Sequence, residues 1–104
     1  MSEVGMSIRN KHLIDAFNYY ISKQGGEFHE WYISNTNIGT GRLVKEHGVE
    51  IDGDGWLILD ATSSNRAKEI VDFFVQSCGM IGNTRDVEDA KSVYIYKCEP
   101  HTSP

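Results

Sequence analysis

Trp56-Leu57-Ile58-Leu59 is the stretch that most limits what this chain can fold into. Consecutive apolar residues cannot alternate between core and water, so a strand built from them is covered on both faces. Such a strand belongs to a sheet with a packed layer on each side, and amphipathic helices are the layers this sequence offers. Leu13, Ile14, Phe17, Tyr20 and Ile21 recur at i, i+3/i+4 and i+7. Asn10 is the expected N-cap and Gly25-Gly26 the expected stop, giving a helix over 11–23. A second helix over 65–77 turns Ala67, Ile70, Val71, Phe74, Val75 and Cys78 to one side, with cap candidates in Thr62-Ser63-Ser64-Asn65.

The remaining segments supply strands and turns. Trp31, Tyr32 and Ile33 favour a strand over 28–34, followed by a turn-rich Asn35 to Thr40. Gly41 to Glu46 reads as a short helix with Leu43 and Val44 inward, ended by His47-Gly48. Val49 to Ile51 is a further strand leading into the turn Asp52-Gly53-Asp54-Gly55. Gly79 to Ala90 is a polar loop, and Ser92 to Lys97 is the last strand. The fold expected is α+β: one small sheet of three to four strands with about three helices, in a single domain over 1–104. Residues 1–9 and 99–104 read as loose ends.

Composition narrows the setting. No apolar run approaches the roughly 18 residues of a membrane span, and MSEVGMSIRNKH lacks an apolar signal region, so a cytoplasmic protein is expected. Cys78 and Cys98 are too few and too far apart for a stapled secreted domain and read as reduced, half-buried thiols. With only scattered His12, His29, His47 and His101 beside them, no thiolate metal site is expected, and no cofactor. The net charge is −5. Acidic and basic residues balance over 1–47, and the acidic excess lies in 48–104. A protein that gains affinity by neutralising many phosphates has the opposite balance.

Asp52-Gly-Asp-Gly begins like a calcium loop, but the twelfth position, where an EF-hand needs its closing carboxylate, is Ser63. Gly39-Thr-Gly41-Arg42 lacks the Lys-Ser/Thr pair of a Walker loop. Trp31, Tyr32, Tyr94 and Tyr96 could stack on bases from an exposed sheet face, but core and cross-strand packing accounts for them more simply.

Tyr32-Ile33-Ser34, Thr36-Asn37, Arg42-Leu43 and Glu46-His47, with ten residues from Tyr32 to Arg42, resemble the second half of the GIY-YIG nuclease motif. The likeness extends over about 28–78, taking in the buried strand and the later helix with Phe73-Phe74. It implies a site for metal-assisted phosphodiester hydrolysis with Mg²⁺ or Mn²⁺. Tyr32 takes a tyrosine role, Arg42 clamps the phosphate, and His47 closes the first helix. The chain departs from the motif in three places. Ile21 stands where the first tyrosine is due, so the strand 92–97 is the candidate to fill that place. Ser34 replaces the glycine of YIG. Val71 stands where the metal-binding Glu is due, leaving Glu69 as the nearest alternative with Asp72.

The reading these features support is a GIY-YIG-like domain that has lost nuclease chemistry. It would bind a protein partner or nucleic acid through Trp31, Arg42 and Lys45. The alternatives are an active metal-dependent endonuclease, a self-associating α+β domain that forms homo-oligomers, and a small acidic inhibitor of a nucleic-acid-binding protein.

Overall fold

The computed structural model describes residues 8–104. Helix α1 spans Ile8–Gln24, β1 Trp31–Thr36, α2 Thr40–Lys45, β2 Trp56–Asp60, α3 Ser64–Asp72, β3 Ile81–Gly82 and β4 Ser92–Lys97. A 3-10 turn at Phe28–Glu30 leads into β1, and α3 runs on into a π-helical segment, Phe73–Ser77. The four strands form one sheet in the order β2-β4-β1-β3. Strand β4 is antiparallel to both its neighbours, and β3 is parallel to β1. The fold is α+β, with a mixed sheet and three helices.

The two-residue period of the strands divides the interior. Trp31 and Ile33 of β1 and Val93 and Ile95 of β4 join Ile14, Phe17 and Ile21 of α1. Ala67, Ile70, Val71 and Phe74 of the α3 region complete that core. Tyr32, Tyr94 and Tyr96 point to the other face, where they pack with Leu43 and Val49. Phe17 meets Phe74 edge-to-face at 6.0 Å between centroids, a geometry that adds to the area they bury.

Several expectations change in detail. Helix α1 starts at Ile8, so the loose end expected over 1–9 lies outside the described residues except for Ile8 and Arg9. Asn10 is no cap. It is buried inside the helix, and its Nδ2 donates to Glu69 Oε1 at 2.7 Å. The exit is as expected: Gly25 has φ +91 and its N–H reaches back to Ile21. Ser63 caps α3, its Oγ accepting from the Arg66 N–H. Val75 and Cys78 are only half-buried, because the π-helical turn shifts the register of the apolar stripe.

Asn35 and Thr36 are strand, not turn, and all six β1 residues are buried. Leu43 is inward, whereas Val44 is 48% exposed, since a six-residue helix lying on the sheet offers only a narrow inner stripe. The strand expected over 49–51 is a turn. Glu50 accepts from the Gly53 and Asp54 amides, and Asp54 Oδ2 accepts from the Glu50 N–H, which uses the groups a ladder would need. Within the expected 79–90 loop lies β3, whose Gly82 sits opposite Ile33. The 99–104 segment is tied down: Ser103 N–H donates to the His47 carbonyl, and its own carbonyl accepts from the Tyr96 hydroxyl at 2.9 Å. Finally, Trp56-Leu57-Ile58-Leu59 is an edge strand, and all four side chains keep partial exposure.

Candidate functional site

The ladder between β1 and β4 sets Tyr32 opposite Tyr96, with Tyr94 diagonal to it on the same face. The Tyr32 and Tyr96 rings stack at 5.2 Å and 26°. After α2 the chain turns back over this face and lays the His47 ring against all three phenols, at 4.9 to 5.5 Å between centroids. His47 is 2% exposed and fully engaged. Its Nδ1 lies 2.8 Å from the Ser103 carbonyl and its Nε2 2.7 Å from the Tyr94 hydroxyl. A carbonyl can only accept, so Nδ1 carries the proton and Nε2 accepts from Tyr94.

Burial sets the titration of this group. It lowers the His47 pKa, outweighing the pull of the Ser103 carbonyl and Glu46 in the other direction. Burial raises the Tyr94 and Tyr96 phenols far above their ordinary range. It raises Tyr32 too, where the charge of Arg85, the Ser34 hydroxyl and Arg42 pull partly back. At neutral pH all three phenols are protonated donors and the imidazole is neutral.

The sign of the pH dependence follows. A histidine whose folded pKa lies below its unfolded value near 6.5 binds fewer protons folded than unfolded. Its contribution is intact above that value and is lost as pH falls through it toward the lowered folded pKa. His101 works the other way, its pKa raised by the hydrogen bond to Asp54, but it is exposed and weaker in effect. The melting temperature is therefore expected to fall between pH 7.5 and 5.5, and a thermal melt across that window checks it.

Charges gather beside the phenols. Arg42 is buried, its Nε donating to Thr36 Oγ1 at 3.2 Å and its Nη1 to Glu46 Oε1 at 2.8 Å. Arg85 Nη1 approaches the same carboxylate oxygen at 3.7 Å. Two guanidinium groups thus share one carboxylate, which leaves local positive charge. Arg85 is set in place by Asn35, which is fully buried: Asn35 Oδ1 accepts from the Arg85 N–H at 2.7 Å, and Nδ2 donates to the Arg85 and Ala90 carbonyls. Ser34 Oγ donates to the Asn83 carbonyl. Between these elements lies a cleft of about 390 Å³ whose lining includes Tyr32, Glu46, His47, Gly82, Asn83 and Arg85.

Of the residues singled out from sequence, Tyr32, Arg42 and His47 come together here. Trp31 does not: it is fully buried on the helix side of the sheet, because neighbouring strand residues face opposite ways. That corrects its assignment as a binding residue. Lys45 is exposed and is not part of the cleft wall. Glu69, on α3, accepts from Asn10 of α1, and α3 packs against the helix-side core, across the sheet from Tyr32, so Glu69 is no metal ligand for that site. Val71 is buried in that same core. Strand β4, antiparallel to β1, carries Tyr94 and Tyr96 on the Tyr32 face.

Sequence reasoning missed Glu46, Arg85, Ser34 and Asn35 as site residues. Alternating tyrosines in Ser92 to Lys97 signalled a shared face, but nothing local marks Arg85. Away from the cleft, Glu50, Asp54 and His101 hold ligand atoms within 4.8 Å of one another. There the 2.6 Å pair between His101 and Asp54 clasps the 99–104 segment to the turn after α2. Among the described residues, no helix is long and apolar enough to cross a membrane. No protein-family model, curated protein or solved structure matches this chain.

Proposed function

We propose that the cleft binds a phosphate ester, and that the chain is a GIY-YIG-like binding module for nucleic-acid phosphodiesters without nuclease chemistry. The observation that carries this reading is one cleft lined by Tyr32 and Arg85, with Arg42 buried behind its wall and paired to the lining residue Glu46. A phosphate oxygen entering there can accept from Tyr32 and take Arg85 from Glu46, whose 3.7 Å pairing is loose. Loss of chemistry is supported by the state of the other groups. His47 has both nitrogens committed to the protein, so it cannot serve as a base without breaking the fold around it. Glu46 is neutralised by Arg42 and is a poor ligand for a cation.

The net charge of −5 bears on the ligand. Binding rests on one or two phosphates rather than a long track. The logarithm of affinity for a short single-stranded oligonucleotide should then fall against the logarithm of salt with a slope of about −0.7 to −1.4. Fluorescence anisotropy measures this. Arg85→Ala is expected to lower affinity about tenfold and flatten the slope, the loss of one charge-assisted contact. Binding that ignores both salt and Arg85 would rule the reading out.

A second reading is hydrolysis with Mg²⁺ or Mn²⁺, which requires a cation to draw the Glu46 carboxylate, beside Tyr32 in the cleft, away from Arg42 and Arg85. Plasmid nicking that needs the metal and is abolished in Arg42→Ala would establish it over the first.

A further inference from the structure

Glu46 holds its carboxylate where an anion entering the cleft would meet positive charge. Both guanidinium groups contact the same oxygen, Arg42 Nη1 at 2.8 Å from Oε1 and Arg85 Nη1 at 3.7 Å. Exposure separates the three groups. The Arg42 side chain is 6% exposed, whereas Glu46 keeps 44% and Arg85 35%. Glu46 and Arg85 line the cleft, and Arg42 lies behind them with its Nε bonded to Thr36. A ligand in the cleft therefore reaches Arg42 through the position that the carboxylate fills. Local structure gives little reason for a carboxylate there. Glu46 caps the C-terminal end of α2, where backbone carbonyls disfavour negative charge, and Arg before Glu is the weaker i,i+4 order. What holds it is the buried charge of Arg42, which needs an anion beside it. The fields of Arg42, Arg85 and Glu46 all reach Tyr32 and His47 on the cleft wall.

We propose that Glu46 is the resident ligand of the cleft and its specificity-determining residue: an anion binds by replacing it on Arg42 and Arg85, which admits phosphate esters and turns away carboxylates. This rests on the cleft binding a phosphate ester. A tethered carboxylate competes at an effective concentration on the order of millimolar. A carboxylate from solution offers the guanidinium groups only what Glu46 already supplies, and it also loses the freedom of a separate molecule. A phosphodiester carries its charge on two oxygens of a tetrahedral centre. It can bond the guanidinium groups through one and accept from the Tyr32 phenol through the other. Glu46 is exposed enough to turn into water when displaced.

Fluorescence anisotropy with a short single-stranded oligonucleotide, and with an all-glutamate peptide of similar length, tests the exchange. The unaltered chain should bind the oligonucleotide and ignore the peptide. Glu46→Gln keeps the length of the side chain and removes the competing charge. It should bind the oligonucleotide about tenfold more tightly, the worth of one charge-assisted contact, and should begin to bind the peptide. Carbon-13 NMR of the Glu46 carboxylate follows the same exchange without a variant, and its resonance should move as oligonucleotide is added. Three results overturn the exchange: Glu46→Gln binding no more tightly, the peptide matching the oligonucleotide on the unaltered chain, or a Glu46 resonance that stays in place. Salt-dependent binding that still needs Arg85 would meanwhile leave the phosphate reading standing. An unaltered chain that takes no oligonucleotide overturns both. Should Glu46→Gln not fold, with the Arg42 charge left unpaired, the Glu46 resonance decides.

Discussion

Gly82→Ala should destabilise the protein by about 3 to 4 kcal/mol, the combined cost of overpacking and a disfavoured backbone angle. Gly82 has φ +150, and a Cβ placed there would lie 2.0 Å from the Ile33 carbonyl oxygen. The obstacle is backbone in the middle of β1, so no side-chain rotation relieves it. The pairing of β3 with β1 must open instead. Because Gly82, Asn83 and Arg85 form one wall of the cleft, oligonucleotide binding should fall with stability. Gly79→Ala is the control: φ is +84 there, but no atom lies within 4 Å of the added carbon. It should cost only about 1 to 2 kcal/mol. Urea denaturation of both variants, with unchanged m-values, separates the steric part from the angular part.

His47→Ala should cost about 3 to 5 kcal/mol, through a cavity among three aromatic rings and a stranded Tyr94 hydroxyl. His47→Phe keeps the ring contacts and removes only the hydrogen bonds, so it should cost about 1 to 3 kcal/mol. The gap between the two variants measures packing against hydrogen bonding at one position. Neither variant carries a titratable group there. Both should therefore lose the fall in melting temperature expected between pH 7.5 and 5.5, and a fall that persists in both would place its origin elsewhere.

How far the sequence could be read depends on where each side chain finds its partner. Ser92 to Lys97 was legible to the residue, because its alternation and the polar loop before it are local signals. Residues 56–59 were legible as a strand, yet their place at an edge was not, since strand order depends on pairings far along the chain. Asn35-Thr36 reads as a turn because such polar residues usually form one. Asn35 is buried here because loop 83–90 supplies its hydrogen bonds, with |i−j| of 50 for Asn35–Arg85, and Ser34 bonds Asn83 across 49; Thr36 is satisfied by Arg42 and the Ile38 amide. Asn10 misled for the same reason, its partner Glu69 being 59 positions away. Tyr32 and Arg42 do share one side of the sheet, Arg42 bonding Thr36 four residues along β1 from Tyr32. Trp31 was also decidable: once Tyr32 faces the cleft, period two sends its neighbour into the opposite core.

Strand β4 lies inside the sheet, between β2 and β1, yet follows both in the chain. During synthesis β2 must therefore wait without a neighbour, and β1 with only the two-residue β3 beside it, until residue 97 has left the ribosome. Only the helices have local contacts to form in that interval. The interior strand closes loops from both sides in a single late step, which makes the folding barrier one of long-range closure rather than of helix formation. A chain halted before Ser92 would hold no ladder beyond the two-residue pairing of β3. It would present two apolar strands with open edges to whatever else is in the cell.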